Sequence, residues 1–258
     1  MKCPVCGNIK YFDKARQYNK ADRYEEYMGI KNVERTWWKC LSCGHHHATC
    51  NYDIAELEKM YENGYRSSDF RGESIEQAYN RITLIPNNEN VQRCEWFIEN
   101  SKGKKVLDFG SGLGVFPDYL SKEGFIVDCI EANKKSQKFI KNKLKLPCYD
   151  KIPKNSKYDV ITLVHVLEHF KNPKNFLMEC KESLSKEGQI FIEIPDGSYF
   201  NSIPEDHDDF NSMHLQSFTP NSLTIMLNKC GYQLGVMRLM SYKERVLHRI
   251  MAVANAVD

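Results

Sequence analysis

The 258 residues carry 36 Lys and Arg against 34 Asp and Glu, a net charge of +2, with 41% hydrophobic and 12% aromatic content. That is the composition of a chain with a packed core rather than a disordered one, and its balanced charge makes no electrostatic case for nucleic acid or an anionic membrane surface. No apolar run approaches the roughly 18 residues of a spanning helix. The opening MKCPVCGNIK lacks the apolar core of a secretory signal, so the ten cysteines are expected to be reduced and cytoplasmic rather than a disulfide framework.

Four of those cysteines form two copies of one knuckle, Cys3-Pro-Val-Cys6-Gly7 and Cys40-Leu-Ser-Cys43-Gly44. A two-residue gap lets both thiolates of a knuckle reach one tetrahedral ion, and the glycine after it lets the backbone turn toward the sulfurs. Two knuckles supply the closed ligand set of a structural zinc ion, so residues 1–50 read as a zinc ribbon. The 33 residues between Cys6 and Cys40 hold enough chain for a β-hairpin, with RTWWKC, residues 35–40, as its second strand. His45, His46 and His47 read as a polar strand, since the cysteines already fill four positions.

Residues 51–94 read as a helical linker or lid. DIAELEKMYENG, ESIEQAYNRITLI and ENVQRCEWFIEN have helical periodicity, the last two separated at Pro86-Asn87-Asn88. The polar loop between the first two carries Tyr65, Arg66, Phe70 and Arg71 and reads as a solvated linker. From residue 95 onward, strands and helices alternate. VLDFGSGLGVF, residues 106–116, is a strand end running into Gly110, Gly112 and Gly114 and then a helix, a cradle for an anionic or nucleotide-like ligand. The dinucleotide fingerprint wants its last glycine one place later, where Val115 stands. Phe125–Ile130 forms the next strand and ends at Glu131, a carboxylate placed to accept from both hydroxyls of a ribose.

A basic amphipathic helix follows, and then the buried strand Val160–Val164, with His165, Glu168 and His169 at its carboxyl end. Asn172-Pro173 and Thr219-Pro220 are helix starts, the first with Asn172 as N-cap and Pro173 at the first position. GQIFIEIPD and YQLGVMRLM read as strands, and YKERVLHRIMAVANAV as a closing helix. The alternation predicts an α/β fold with a parallel sheet covered on both faces, whose ligand lies beyond the strands' carboxyl ends.

VLDFGSGLG, IEANKKS and YDVITLVHVLEHFKNPKNFL resemble successive motifs of class I S-adenosylmethionine-dependent methyltransferases, over roughly residues 95–240. The resemblance implies a Rossmann-like, doubly wound, mostly parallel sheet of seven strands, in which Asp108, Gly110, Ser111, Gly112 and Gly114 surround the methionine part of S-adenosylmethionine. It places Glu131 at the ribose, Ala132 and Asp150 at the adenine, and His165 against the cofactor, with Glu168 and His169 as outer or helix-capping groups. Two zinc knuckles ahead of such a domain are similar to bacterial methyltransferases acting on nucleotide-linked sugars or surface polysaccharide. Some of those methylate carbon and carry a Tyr-His-Glu-His-Leu-Ser stretch, whose last histidine falls here on His214 in NSMHLQSF. Asn211, Ser212 and Met213 depart from that pattern, so the expectation is O-methylation of a sugar hydroxyl with His214 as the base. Carbon methylation and ribosomal RNA methylation are the alternatives. PEDHDDF, residues 204–210, reads as a solvated acidic loop, with a divalent-ion site as its alternative.

Overall fold

The computed structural model describes residues 1–54, 72–86, 88–242 and 247–257. The helix expected over residues 53–64 and the loop with Tyr65, Arg66, Phe70 and Arg71 fall, but for Asp53, Ile54 and the loop's last residues, outside these ranges.

The N-terminal segment builds a small antiparallel sheet. Strand β1 (Phe12–Tyr18) pairs with β2 (Arg35–Cys40), and β2 with β3 (His46–Cys50). A short helix, α1 (Arg23–Tyr27), sits in the first connection, its exposed amides satisfied by a capping box between Asp22 and Glu25. The fourth strand comes from far along the chain: β9 (Gln216–Ser217) pairs antiparallel with β3, placing His46 opposite Ser217 and His47 opposite Gln216. This makes β3 an interior strand and corrects the expectation for its histidines. His45, His46 and His47 are buried rather than a polar face. His46 stacks flat on Phe200 at 4.1 Å, His47 meets the edge of Phe12, and His45 Nε2 lies 2.8 Å from Gln216 Oε1. Burial pushes His45 and His46 down to about 3, so both are neutral.

The large sheet has seven strands in the order β10-β11-β8-β7-β4-β5-β6. Strands β4 (Lys105–Phe109), β5 (Ile126–Ile130), β6 (Cys148–Tyr149), β7 (Tyr158–Val164) and β8 (Leu184–Pro195) are parallel. β10 (Tyr232–Tyr242) and β11 (Leu247–Ala256) complete it, with β11 antiparallel to both its neighbours. Pleating sends alternate residues of β4 to opposite cores. Leu107 joins Ile161, Ile190, Phe176 and Leu223 on one face, while Val106 joins Val160, Phe191, Phe97 and Phe116 on the other.

Helices α2 (Ile75–Thr83), α3 (Glu89–Asn100), α4 (Val115–Lys122), α5 (Lys134–Phe139), α6 (Pro173–Glu182) and α7 (Pro220–Lys229) flank the sheet. α7 starts at Thr219-Pro220, as its sequence predicts, and is closed there by a capping box between Thr219 and Ser222. α6 starts at Pro173, but Asn172 makes no side-chain cap bond. The closing segment is β11 and not a helix. Its middle, Ile250 to Ala254, is buried between β8 and β10, so sheet hydrogen bonds and two apolar faces override the helical preference of its alanines.

Chain connections leave β4 toward β5 on one side, while its other neighbour is β7. This reversal opens a crevice at the strands' carboxyl ends, and the expected ligand-binding residues gather there.

Candidate active site

The glycine turn after β4 is tied to the end of β5. The amides of Gly110 and Ser111 both donate to Ile130 O, at 2.8 and 2.9 Å. Gly110 and Gly114 hold positive φ, 73° and 77°, and a Cβ would strike Val166 at Gly110 and Leu144 at Gly114, each at 2.6 Å. Both the backbone conformation and the space therefore demand glycine. Glu131 anchors the turn: its Oε2 accepts from Gly112 N at 2.6 Å and its Oε1 from Asn133 N at 2.8 Å. Asp108 is buried, accepting from Thr162 Oγ1 at 2.6 Å, and burial pushes its carboxyl up to about 6.

Ala132 is exposed at the end of β5. Asp150, beyond β6, is exposed too; its Oδ1 accepts from Gln137 Nε2 at 2.5 Å and pairs with Lys134, which holds its pKa below the usual carboxylate range. Gln137 also donates to Glu131 O, linking the two ends. The carboxyl ends of β4, β5 and β6 thus present Asp108, the three glycines, Ser111, Glu131, Ala132 and Asp150 along one rim.

Across the crevice, β7 ends in a strained residue. His165 has φ 54°, a left-handed conformation rare outside glycine. Its amide donates to Glu193 O at 2.8 Å, and its ring lies between Glu168 Oε1 (3.2 Å) and Glu193 Oε1 (3.3 Å). Burial opposes the cation, but the two carboxylates outweigh it and hold the His165 pKa above its ordinary value. Glu168 is correspondingly drawn down to about 2 in spite of its burial, and Glu193 is lowered as well. Glu193 in turn takes a bidentate pair from Arg93 on α3, Nε and Nη2 each at 2.6 Å.

The turn after β7 is sewn to the segment ahead of β9. Leu215 N donates to Glu168 O, and Gln216 Nε2 to Phe170 O. His169 and His214 meet edge to face, with ring centres 4.8 Å apart. His214 therefore lies on the β7 side of the crevice, beside Glu168 and His169, and its Nδ1 is 2.9 Å from Asp209 O. The N-terminal segment reaches the same stretch: Asp22 accepts from Ser212 N at 2.5 Å and from Ser212 Oγ at 2.9 Å.

The acidic loop is largely solvated, with Glu205, Asp206 and Asp208 exposed. Two of its carboxylates also reach other segments: Asp208 pairs with Arg23 at 2.8 Å, and Asp209 with Arg249 at 3.3 Å.

At the far end of the small sheet the four expected cysteines converge. Cys3 Sγ and Cys43 Sγ are 3.7 Å apart, Cys6 Sγ and Cys40 Sγ 3.5 Å, and all four sulfurs lie within 4.8 Å of one another. None is in a disulfide. A tetrahedron with metal–sulfur bonds of about 2.3 Å has sulfur–sulfur edges of about 3.8 Å, so the donor set fits a zinc-sized ion.

A model of the methyltransferase-domain family matches residues 78–235, which span β4 to β9, the crevice and the start of β10. The chain belongs to the methyltransferase-domain family. Among curated proteins this methyltransferase is similar to a ubiquinone biosynthesis O-methyltransferase of Vibrio campbellii, 25% identical over 153 residues, covering 55% of this chain and 63% of that protein. It is also similar to the protein of the same name from Glaesserella parasuis, 33% identical over 106 residues, covering 35% and 44%. The chain spans less than two thirds of the length of these relatives. Among solved structures, the Burkholderia thailandensis 1,6-didemethyltoxoflavin-N1-methyltransferase superposes with a TM-score of 0.60 at 13% identity, over 84% of this chain and 98% of that one. Magnesium protoporphyrin IX methyltransferase of Synechocystis gives 0.53 at 13% identity, over 79% and 100%. The likeness at that identity is one of fold.

Four residues around the site carry no sequence signal of their own. Arg93 and Glu193 are 100 positions apart, and Asp22 and Ser212 are 190 apart. Only the fold joins them. A cleft of about 780 Å³ also opens between the small sheet and the start of α6, next to Leu215 and Gln216. Its rim carries Lys2, Lys171 and Lys174, against Asp53 as the acidic residue among its described lining.

Proposed function

We propose that the methyltransferase transfers a methyl group from S-adenosylmethionine to a hydroxyl of a sugar carried on a phosphate, such as a nucleotide-linked sugar. The observation that carries this reading is that two turns leave neighbouring strands at the same end of the sheet: the glycine turn tied to Glu131 after β4, and the turn after β7, whose Val166 packs on Gly110 and whose His169 meets His214. Bound at the turn, S-adenosylmethionine supplies an electrophilic methyl whose transfer forms the O–CH3 bond and leaves S-adenosylhomocysteine. Gly110, Ser111, Gly112 and Gly114 present backbone to it, and Glu131 suits its ribose. Asp108 and His165 border its methionine end, with Ala132 and Asp150 nearer the adenine.

An acceptor hydroxyl is protonated at neutral pH, so the residues opposite must promote loss of its proton, and His214 is the centre of that group. The lysine-rimmed cleft supports an anionic acceptor. The name shared by the curated relatives supports oxygen as the atom methylated. We assign zinc to Cys3, Cys6, Cys40 and Cys43 as a structural ion, and retain a division into ribbon (1–50), helical lid (51–94) and catalytic domain (95–258). A cytoplasmic location accords with reduced thiols; among the described residues no helix is long and apolar enough to cross a membrane.

Two measurements test the reading. Calorimetry should show S-adenosylmethionine binding that Glu131→Ala weakens by about 1.5–3 kcal/mol, the worth of hydrogen bonds to a charged group; unchanged affinity overturns the cofactor site. Transfer of labelled methyl should be followed on a panel of nucleotide-linked sugars, phenolic quinone precursors and ribosomal RNA. Label is expected on a sugar, with turnover lowered about 10²–10⁴-fold in His214→Ala. Label on phenols or RNA alone overturns the acceptor class.

A further inference from the structure

We propose that Glu168, His169 and His214 form a binding site for a divalent first-row transition-metal ion, separate from the four-cysteine cluster. Each offers one ligand atom, and these atoms lie within 4.8 Å of one another. Donors bonded to one ion at about 2.0–2.2 Å lie at most about 4.4 Å apart, so side-chain shifts of roughly a few tenths of an ångström suffice to bring the three onto a single ion.

Three further features turn proximity into a built site. First, both imidazoles are oriented by backbone carbonyls. His169 Nδ1 is 2.8 Å from Met213 O, and His214 Nδ1 is 2.9 Å from Asp209 O. A carbonyl only accepts, so each Nδ1 carries the hydrogen and donates it, which places the lone pair on Nε2. This is the tautomer a metal requires, held by the outer hydrogen bond that ligating histidines habitually make.

Second, Glu168 is half satisfied. Its side chain is 1% exposed, and Oε1 is engaged by His165, while Oε2 is buried with no hydrogen-bond partner among the described residues. A buried carboxylate oxygen without a donor is costly, and a cation between it and two imidazoles removes that cost.

Third, the supporting groups are fixed. Arg93 clamps Glu193, and Glu193 with Glu168 brackets His165, so the Glu168 carboxylate is held from behind. The donor set of two imidazoles and one carboxylate favours ions of the zinc, iron and manganese type over magnesium or calcium, and leaves positions open for water or an acceptor oxygen.

This deepens the reading above and rests on it only for what fills the open position. An acceptor hydroxyl bound there loses its proton to solvent water more readily. Its O–H bond breaks, the oxygen keeps the electron pair, and that pair forms the new bond to the methyl carbon as the sulfonium's S–CH3 bond breaks toward sulfur. On this account His214 promotes deprotonation as a ligand and not by taking the proton itself.

The test is binding of manganese alone, so it is independent of the acceptor. MnCl2 is titrated into full-length protein already holding one zinc per chain, with the resonance of free aqueous Mn²⁺ followed by electron paramagnetic resonance. One further ion per chain is expected, with affinity at least 10-fold weaker in both Glu168→Gln and His214→Ala, whose folding is checked by circular dichroism. Wild-type protein that takes up no ion beyond the first zinc, from either MnCl2 or ZnCl2, overturns the proposal without recourse to any variant. Folded variants that bind as tightly as wild type overturn it too. Failure of the sugar panel with manganese still bound at this site would count against the acceptor class alone.

Discussion

Asp108 illustrates how a single buried residue trades stability for function. Its carboxyl titrates near 3.8 when unfolded and at about 6 in the fold, chiefly because burial disfavours the charge. A folded pKa above the unfolded one means that the folded form binds the proton more tightly. The cost of the charge is absent below about pH 4, grows between the two values and is complete above about pH 6, at about 3 kcal/mol. Asp108→Asn should therefore stabilise the ligand-free protein by up to about 3 kcal/mol at pH 7.5, with roughly half of that gain left at pH 5. Urea unfolding midpoints at the two pH values measure it, and a gain independent of pH would refute the burial argument. Residues of this kind were legible in the sequence where local backbone chemistry demands them. Gly110 and Gly114 stand out because no other residue fits their turn, and Glu131 because it ends the following strand. His165, Glu168 and His169 were visible as a cluster, but not their junction with His214. That contact runs through a loop whose path depends on packing against the small sheet.

At the scale of elements, short-range patterning served the strands and helices well and failed where sheet position decides. Strand β7 follows from an apolar run bounded by polar residues, and α7 from its Thr-Pro start. β11 reads as a helix because alanines and alternating charges satisfy helical spacing equally well. Its burial on both faces is a property of the neighbours β8 and β10 and is absent from its own residues. The four cysteines were fully legible because ligand spacing is local within each knuckle. The zinc proposed for this module would supply on the order of 10 kcal/mol of folding energy. Stripping the ion with a strong chelator should melt this sheet, moving the emission of Trp37, now fully buried, toward that of exposed tryptophan. Because β9 hangs on β3 and Ser212 on Asp22, hydrogen exchange across residues 200–217 should quicken at the same time. The glycine turn bonds to β5 instead, and S-adenosylmethionine affinity should stay within about 2-fold. Unaltered exchange across 200–217 in the stripped protein would show the two regions to be uncoupled.

For the molecule as a whole, a parallel α/β sheet with its ligand site beyond the strands' carboxyl ends was predictable from alternation, since parallel strands need crossover helices, whereas the strand order and the antiparallel β11, which reads as a helix, were not. What no local reading reaches is that the first sheet is finished by the last third of the chain. His46 and Ser217 are partners across 171 positions, and Trp37 is sealed by Phe200 and Phe210. This has a consequence for synthesis. Chains emerge N-terminus first at about 5–20 residues per second, so β1 to β3 leave the ribosome tens of seconds before their closing strand and aromatic cover exist at the slower rates. Through that interval β3 is an open edge and Trp37 an uncovered apolar surface, the combination that invites pairing with other chains. The thiolate cluster is complete by residue 43, so an ion captured early would hold the nascent hairpin in register while it waits. With the zinc proposed for this cluster, its supply during translation becomes a condition on correct assembly as well as on the finished fold.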